Sequence, residues 1–97
     1  MKNSKSLPSI VVTALGSDTY AVKVEAQTVT NHRVTASPGY LNELGVGALP
    51  ASRVIDEAFR FLMERESNTS ILARFDLREI ERYFPEFSAG IAQRLKS

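Results

Sequence analysis

The hydrophobic period of this chain changes once, near residue 36, and that change limits its fold more than any other feature. Before it, apolar and β-branched residues recur at every second position, the spacing of a half-buried strand. After it, they recur three and four positions apart, the spacing of a helix with one packed face. At 97 residues the chain makes one domain, so both patterns must share a single core. The expectation is an α+β fold. A three-stranded antiparallel meander over 9–36 is packed by three or four helices over 37–97, and residues 1–8 form a flexible tail.

Within the front part, Ser9 to Leu15 is rich in β-branched residues, and Gly16-Ser17-Asp18 is a turn cluster. In the next strand Tyr20, Val22, Val24 and Ala26 share one face, while Thr19, Ala21, Lys23 and Glu25 share the other. A third strand is expected between Thr28 and Ala36. The first strand is apolar on both faces, with Ile10, Val12 and Ala14 on one and Val11 and Leu15 on the other. That pattern predicts that the second face is covered, by the chain or by a partner, and makes self-association through the sheet a live expectation.

In the back part, Ser37-Pro38 suits a helix start and Gly45 suits its stop. Pro50 opens the central helix, expected over 50–66. Ala51, Val54, Ile55, Ala58, Phe59, Phe61 and Leu62 fill one arc of it, opposite Arg53, Asp56, Glu57, Arg60 and Glu64. Ser67 to Ser70 breaks it, and Ile71 to Phe75 is read as one more helical turn. Asp76 and Glu79 have capping-box spacing, and Leu77, Ile80, Tyr83 and Phe84 are the expected buried stripe of the helix they start. Beyond Pro85, Phe87, Ile91 and Leu95 recur at four-residue spacing in a last helix.

Composition narrows the chemistry. The absence of Cys excludes disulfides, thiol catalysis and Cys-based metal sites, and a single His cannot build a multi-histidine metal centre. No catalytic residue, metal ligand or cofactor motif is assigned. His32 is expected to be a solvated or hydrogen-bonded surface residue, and Gly45-Val46-Gly47 lacks the third glycine of a dinucleotide fingerprint. No apolar run reaches the length of a membrane span or matches a secretory signal, so a cytoplasmic location is expected. Asn68-Thr69-Ser70 fits the glycosylation sequon, which is idle without secretion.

Arginine outnumbers lysine eight to four, yet twelve cations against eleven carboxylates leave a net charge of only +1. Arg78 and Arg82 are expected on the solvent side of their helix, and Arg74 joins them if the helix extends backward. Such a row suits phosphates, although Glu79 and Glu81 border it and favour a face laced with (i, i+3) and (i, i+4) ion pairs. Arg65, near the edge of the apolar arc, is expected to tie the end of its helix to the Ser67–Ser70 turn. Arg65, Glu66, Arg74, Arg78 and Arg82 are the candidate contact residues.

The run Glu57 to Glu66, with Ser70-Ile71-Leu72, Phe75-Asp76-Leu77, Ile80 and Tyr83-Phe84-Pro85-Glu86-Phe87, resembles a group of short bacterial hypothetical proteins. Their phenylalanine-rich back half follows a variable β-rich front. The resemblance spans about residues 50–88 and implies a small bacterial cytosolic protein; it brings no activity, cofactor or catalytic residue. The expected function is a non-enzymatic protein-interaction module that binds a protein partner or itself. The alternative is a small DNA-binding regulator or antitoxin-like protein, with nucleic acid held by the arginine row or the sheet.

Overall fold

The computed structural model describes residues 8–96, so nearly all of the expected 1–8 tail lies outside the described residues. Its architecture is α+β. Strands β1 (Ser9–Gly16), β2 (Thr19–Glu25) and β3 (Val29–Thr35) form the antiparallel meander. The pairs Val12↔Val22 and Val22↔His32 fix the register. The first turn places Asp18 at φ 57°, a left-handed conformation that Asp tolerates better than most side chains.

The sheet has a fourth strand that the sequence reading missed. β4 (Arg74–Asp76) pairs parallel with β3 and completes the order β1-β2-β3-β4. The helical turn expected over Ile71 to Phe75 is therefore replaced by extended backbone. Phe75 and Leu77, two residues apart, are both buried, which is the period of a strand. The Arg33 amide also finds its acceptor in the Ala73 carbonyl at 2.7 Å, so the free side of β3 is satisfied.

Four helices share the core with the sheet: α1 (Pro38–Glu43), α2 (Ala51–Met63), α3 (Ile80–Tyr83) and α4 (Phe87–Lys96), with α2 packing against β1 and α4 against α2 and α3. The Ser37 hydroxyl caps α1 by accepting from the Tyr40 amide. Gly45 ends the helix at φ 80°; its amide donates to the Asn42 carbonyl and the Val46 amide to that of Leu41, a Schellman closure. Gly47 lies against the end of the exposed Asn42 side chain, which occupies the place of a Cβ there. Gly45 thus serves chain geometry.

Central helix α2 buries Val54, Ile55, Ala58, Phe59, Phe61 and Leu62, six of the seven arc residues, with Ala51 partly buried. It is three residues shorter than expected at its C-terminal end, stopping at Met63. The inner sheet face meets it with Val22, Val24, Val34 and Phe75, and Phe87, Ile91 and Leu95 of α4 close the core. The Asp76–Glu79 capping box is present, around a 3-10 turn over Leu77–Glu79 that leads into α3. Leu77 and Ile80 are buried as expected, but Tyr83 is 66% exposed. A three-residue-per-turn segment followed by a single α-turn does not keep the 100° phase on which the stripe was drawn.

The opposite face of the sheet stays open. Val11, Leu15 and Val29 are about half exposed, so no described residue supplies the cover that the apolar pattern of β1 predicted.

Candidate functional site

Two surfaces stand apart from the rest. The first is the free edge of β1. Its eight residues, Ser9 to Gly16, contain no charge and no proline, and the one register irregularity falls at the hairpin end, between Ala14 and Gly16. Ile10 and Val12 turn inward and rest against the core. Along the outer side of an edge strand, unpaired amides and carbonyls face away from the sheet.

The second is a cleft where the end of α2 faces the 70–75 segment and α3. It encloses about 200 Å³ and is lined by Leu62, Ile71, Phe75, Ile80 and Phe84, with Ser70, Glu66 and Glu79 among the remaining residues. Leu72 and Tyr83, 47% and 66% exposed, form its lips. Among the described residues no basic residue lines it. The Glu79 carboxylate accepts from the Asp76 amide at 3.1 Å, whereas Glu66 makes no ion pair among the described residues.

Its wall is held by a buried polar network. His32, expected at the surface, is 5% exposed; it lies on the inner face of β3 with its ring 5.3 Å from that of Phe59. Its Nδ1 faces the Leu72 carbonyl at 2.7 Å and its Nε2 the Thr30 hydroxyl at 2.8 Å. A carbonyl only accepts, so Nδ1 carries the proton and Nε2 accepts from Thr30. Asn68 Nδ2 donates to that same hydroxyl and to the Thr28 carbonyl, each at 2.8 Å. Every member has a partner, and a buried Asn68 used in this way is no glycan acceptor. Polar residues flanking a histidine on a strand were the only sequence signal for this network.

The arginines separate into two kinds. Arg65 stacks on Phe61, 3.6 Å from the ring centroid, donates to the Phe61 carbonyl at 3.0 Å and reaches Glu86 at 3.3 Å. It therefore ties α2 to the start of α4 and not to the Ser67–Ser70 turn, because the aromatic face draws the guanidinium inward. Arg78 lies 4.5 Å from the Tyr40 ring centroid and pairs with Glu43, whose hydrogen bonds raise its pKa. Arg94 bridges Glu57 and Glu64 at 2.9 and 2.7 Å, and its hydrogen bonds hold Glu64 below the usual carboxylate range. Most of these pairs join different elements; Asp56–Arg60 is the one (i, i+4) pair among the described residues.

Arg33, Arg74 and Arg82 are exposed and have no carboxylate partner among the described residues. The expected row of Arg74, Arg78 and Arg82 does not form: Arg74 belongs to β4, beside Arg33 in the register, while Arg78 and Arg82 share a shallow groove with Asp76, Glu79 and Glu81. Below that groove the buried Tyr40 donates its hydroxyl to Glu81, joining α1 to α3. Burial and this hydrogen bond push the Tyr40 phenol far above its ordinary 10.0.

Among the described residues no group of three or more His, Asp or Glu side chains is placed to hold a metal ion, and no helix is long and apolar enough to cross a membrane. Comparison with protein-family models, with curated proteins and with solved structures returned no match for the chain.

Proposed function

We propose that this chain is a non-enzymatic protein-interaction module that associates with a second copy through the edge of β1. One observation carries this reading: the longest strand of the sheet is at its edge and, apart from the register irregularity at its hairpin end, lacks the devices by which edges are usually blunted. Charged side chains, proline and brevity are the common ones. An antiparallel pairing of two β1 strands satisfies the outward amides and carbonyls of both and makes one sheet across the pair. The open outer face then brings Val11 and Leu15 of each copy close to the junction. Of the five contact residues expected from the sequence, Glu66, Arg74 and Arg82 have no ion-pair partner among the described residues and remain candidates; Arg65 and Arg78 are engaged within the fold.

Light scattering on the purified chain tests the reading. The expected mass at micromolar concentration is twice 10.7 kDa, returning to 10.7 kDa in Thr13→Lys with its circular dichroism unchanged. A wild-type chain that stays monomeric throughout that range sinks the proposal.

A second reading, the small DNA-binding regulator or antitoxin-like protein, draws on Arg33 and Arg74, which are exposed register neighbours without carboxylate partners among the described residues. Like charges on adjacent strands oppose each other, and a bound phosphate relieves that. Retention on DNA at low salt, lost steeply as salt rises and lost in Arg33→Ala/Arg74→Ala, supports this reading over the first; no retention at low salt removes it.

A further inference from the structure

The cleft between α2 and α3 is independent of the β1 edge and has a different chemistry. We infer that it is a docking pocket for one bulky apolar side chain of a partner peptide whose neighbouring residues are Lys or Arg. Its volume, about 200 Å³, exceeds the roughly 150 Å³ apolar cavity known to admit benzene, so a phenylalanine or leucine side chain fits. Leu62, Ile71, Phe75, Ile80 and Phe84 supply the apolar walls. Leu72 and Tyr83 extend that surface outward and are left 47% and 66% exposed, so a chain crossing the mouth covers both.

Charge selects the kind of peptide. Among the described residues no Lys or Arg lines this cleft, while Glu66 and Glu79 both do. The contrast with Glu64, two residues earlier, is sharp. Glu64 is neutralised by Arg65 and Arg94, whereas Glu66 has no partner among the described residues and lies just past the negative end of the α2 dipole. An apolar hole under an uncompensated carboxylate is complementary to an apolar anchor with a flanking ammonium or guanidinium.

The test is a ¹⁵N chemical-shift titration of the intact chain with three acetylated, amidated pentapeptides. They are Gly-Lys-Phe-Lys-Gly, Gly-Glu-Phe-Glu-Gly and Gly-Lys-Asn-Lys-Gly. The Lys-flanked Phe peptide is expected to shift the amides of Ile71, Leu72, Ile80 and Tyr83. Each of the other two should bind weaker by on the order of tenfold. Glu66→Lys, an exchange at the helix end outside the core, should reverse the preference between Lys and Glu flanks. Leu72→Asn, made separately, should weaken the preferred peptide without altering the charge. Equal binding of the two Phe peptides, shifts mapping to β1, or no shifts in the cleft would each overturn the inference. So would benzylamine binding as tightly as the preferred peptide, since the site would then be one for a small amine.

Discussion

The two edges of the sheet are built on opposite principles. β4 has three residues, two of them charged, and the chain leaves it at once through a capped 3-10 turn. It is also pinned from behind: His32 holds the Leu72 carbonyl, and Asn68 spans to Thr28 and Thr30. β1 is more than twice as long, carries no charge, and has only its hairpin partner and the helices beneath it. One edge is short, charged and held by polar anchors; the other is long and uncharged, with its one register irregularity at the hairpin end. The difference argues that the open edge serves a purpose, because the chain has the means to blunt an edge and uses them on the far side.

The largest effect should come from undoing the anchored side. His32→Ala leaves the Thr30 hydroxyl and Leu72 carbonyl short of a partner and a void beside Phe59. It should lower the unfolding free energy by about 2–4 kcal/mol in urea titration. A loss near zero would mean that β4 does not depend on this network. Next comes Tyr40→Phe, which removes a hydrogen bond to a carboxylate and should cost about 1.5–3 kcal/mol at neutral pH.

The same tyrosine sets an alkaline limit. Below pH 10 the phenol is protonated in both states; above it the unfolded chain releases the proton while the folded chain, with its raised pKa, retains it. Stability must therefore fall as pH rises beyond 10, and Tyr40→Phe should flatten that limb of the curve. Smaller still is the effect on the open edge: Thr13→Lys should change monomer stability by no more than about 0.5 kcal/mol while abolishing association. A large loss of stability there would show that the strand is held for folding and not for contact. Last, Glu43→Gln, which breaks the exposed pair with Arg78, should leave the urea midpoint unmoved.

These two edges were not equally legible. The meander could be read because alternation in 9–36 is local and each strand pairs with its neighbour in sequence. The central helix was equally plain from Val54 to Leu62. β4 escaped because three residues carry too little pattern to outvote the helical periods on either side, and because its partner lies some forty residues earlier. Tyr83 was misplaced by a related fault: one residue of 3-10 phase error turns a buried position outward.

The candidate surfaces divide in the same way. The uncharged β1 edge was visible as a strand apolar on both faces. The cleft was not, since its lining comes from α2, the 70–75 segment and α3, whose meeting no spacing reports. Arginine pairing was read as running along helices, whereas most of it runs between them: Arg94 to Glu57 and Glu64, Arg78 to Glu43, Arg65 to Glu86.

The parallel pairing of β3 with β4 has a consequence for a chain made from its N-terminus onward. The hairpin strands can assemble as soon as they emerge, but the strand that shields β3 is synthesised only after α1 and α2. Until then β3 has no second neighbour, and bringing the two strands together carries the entropic cost of closing a loop of about forty residues. Growth of the polypeptide past Asp76 is thus the moment at which β3 gains its second neighbour and the sheet is left with a long margin on one side and a short one on the other.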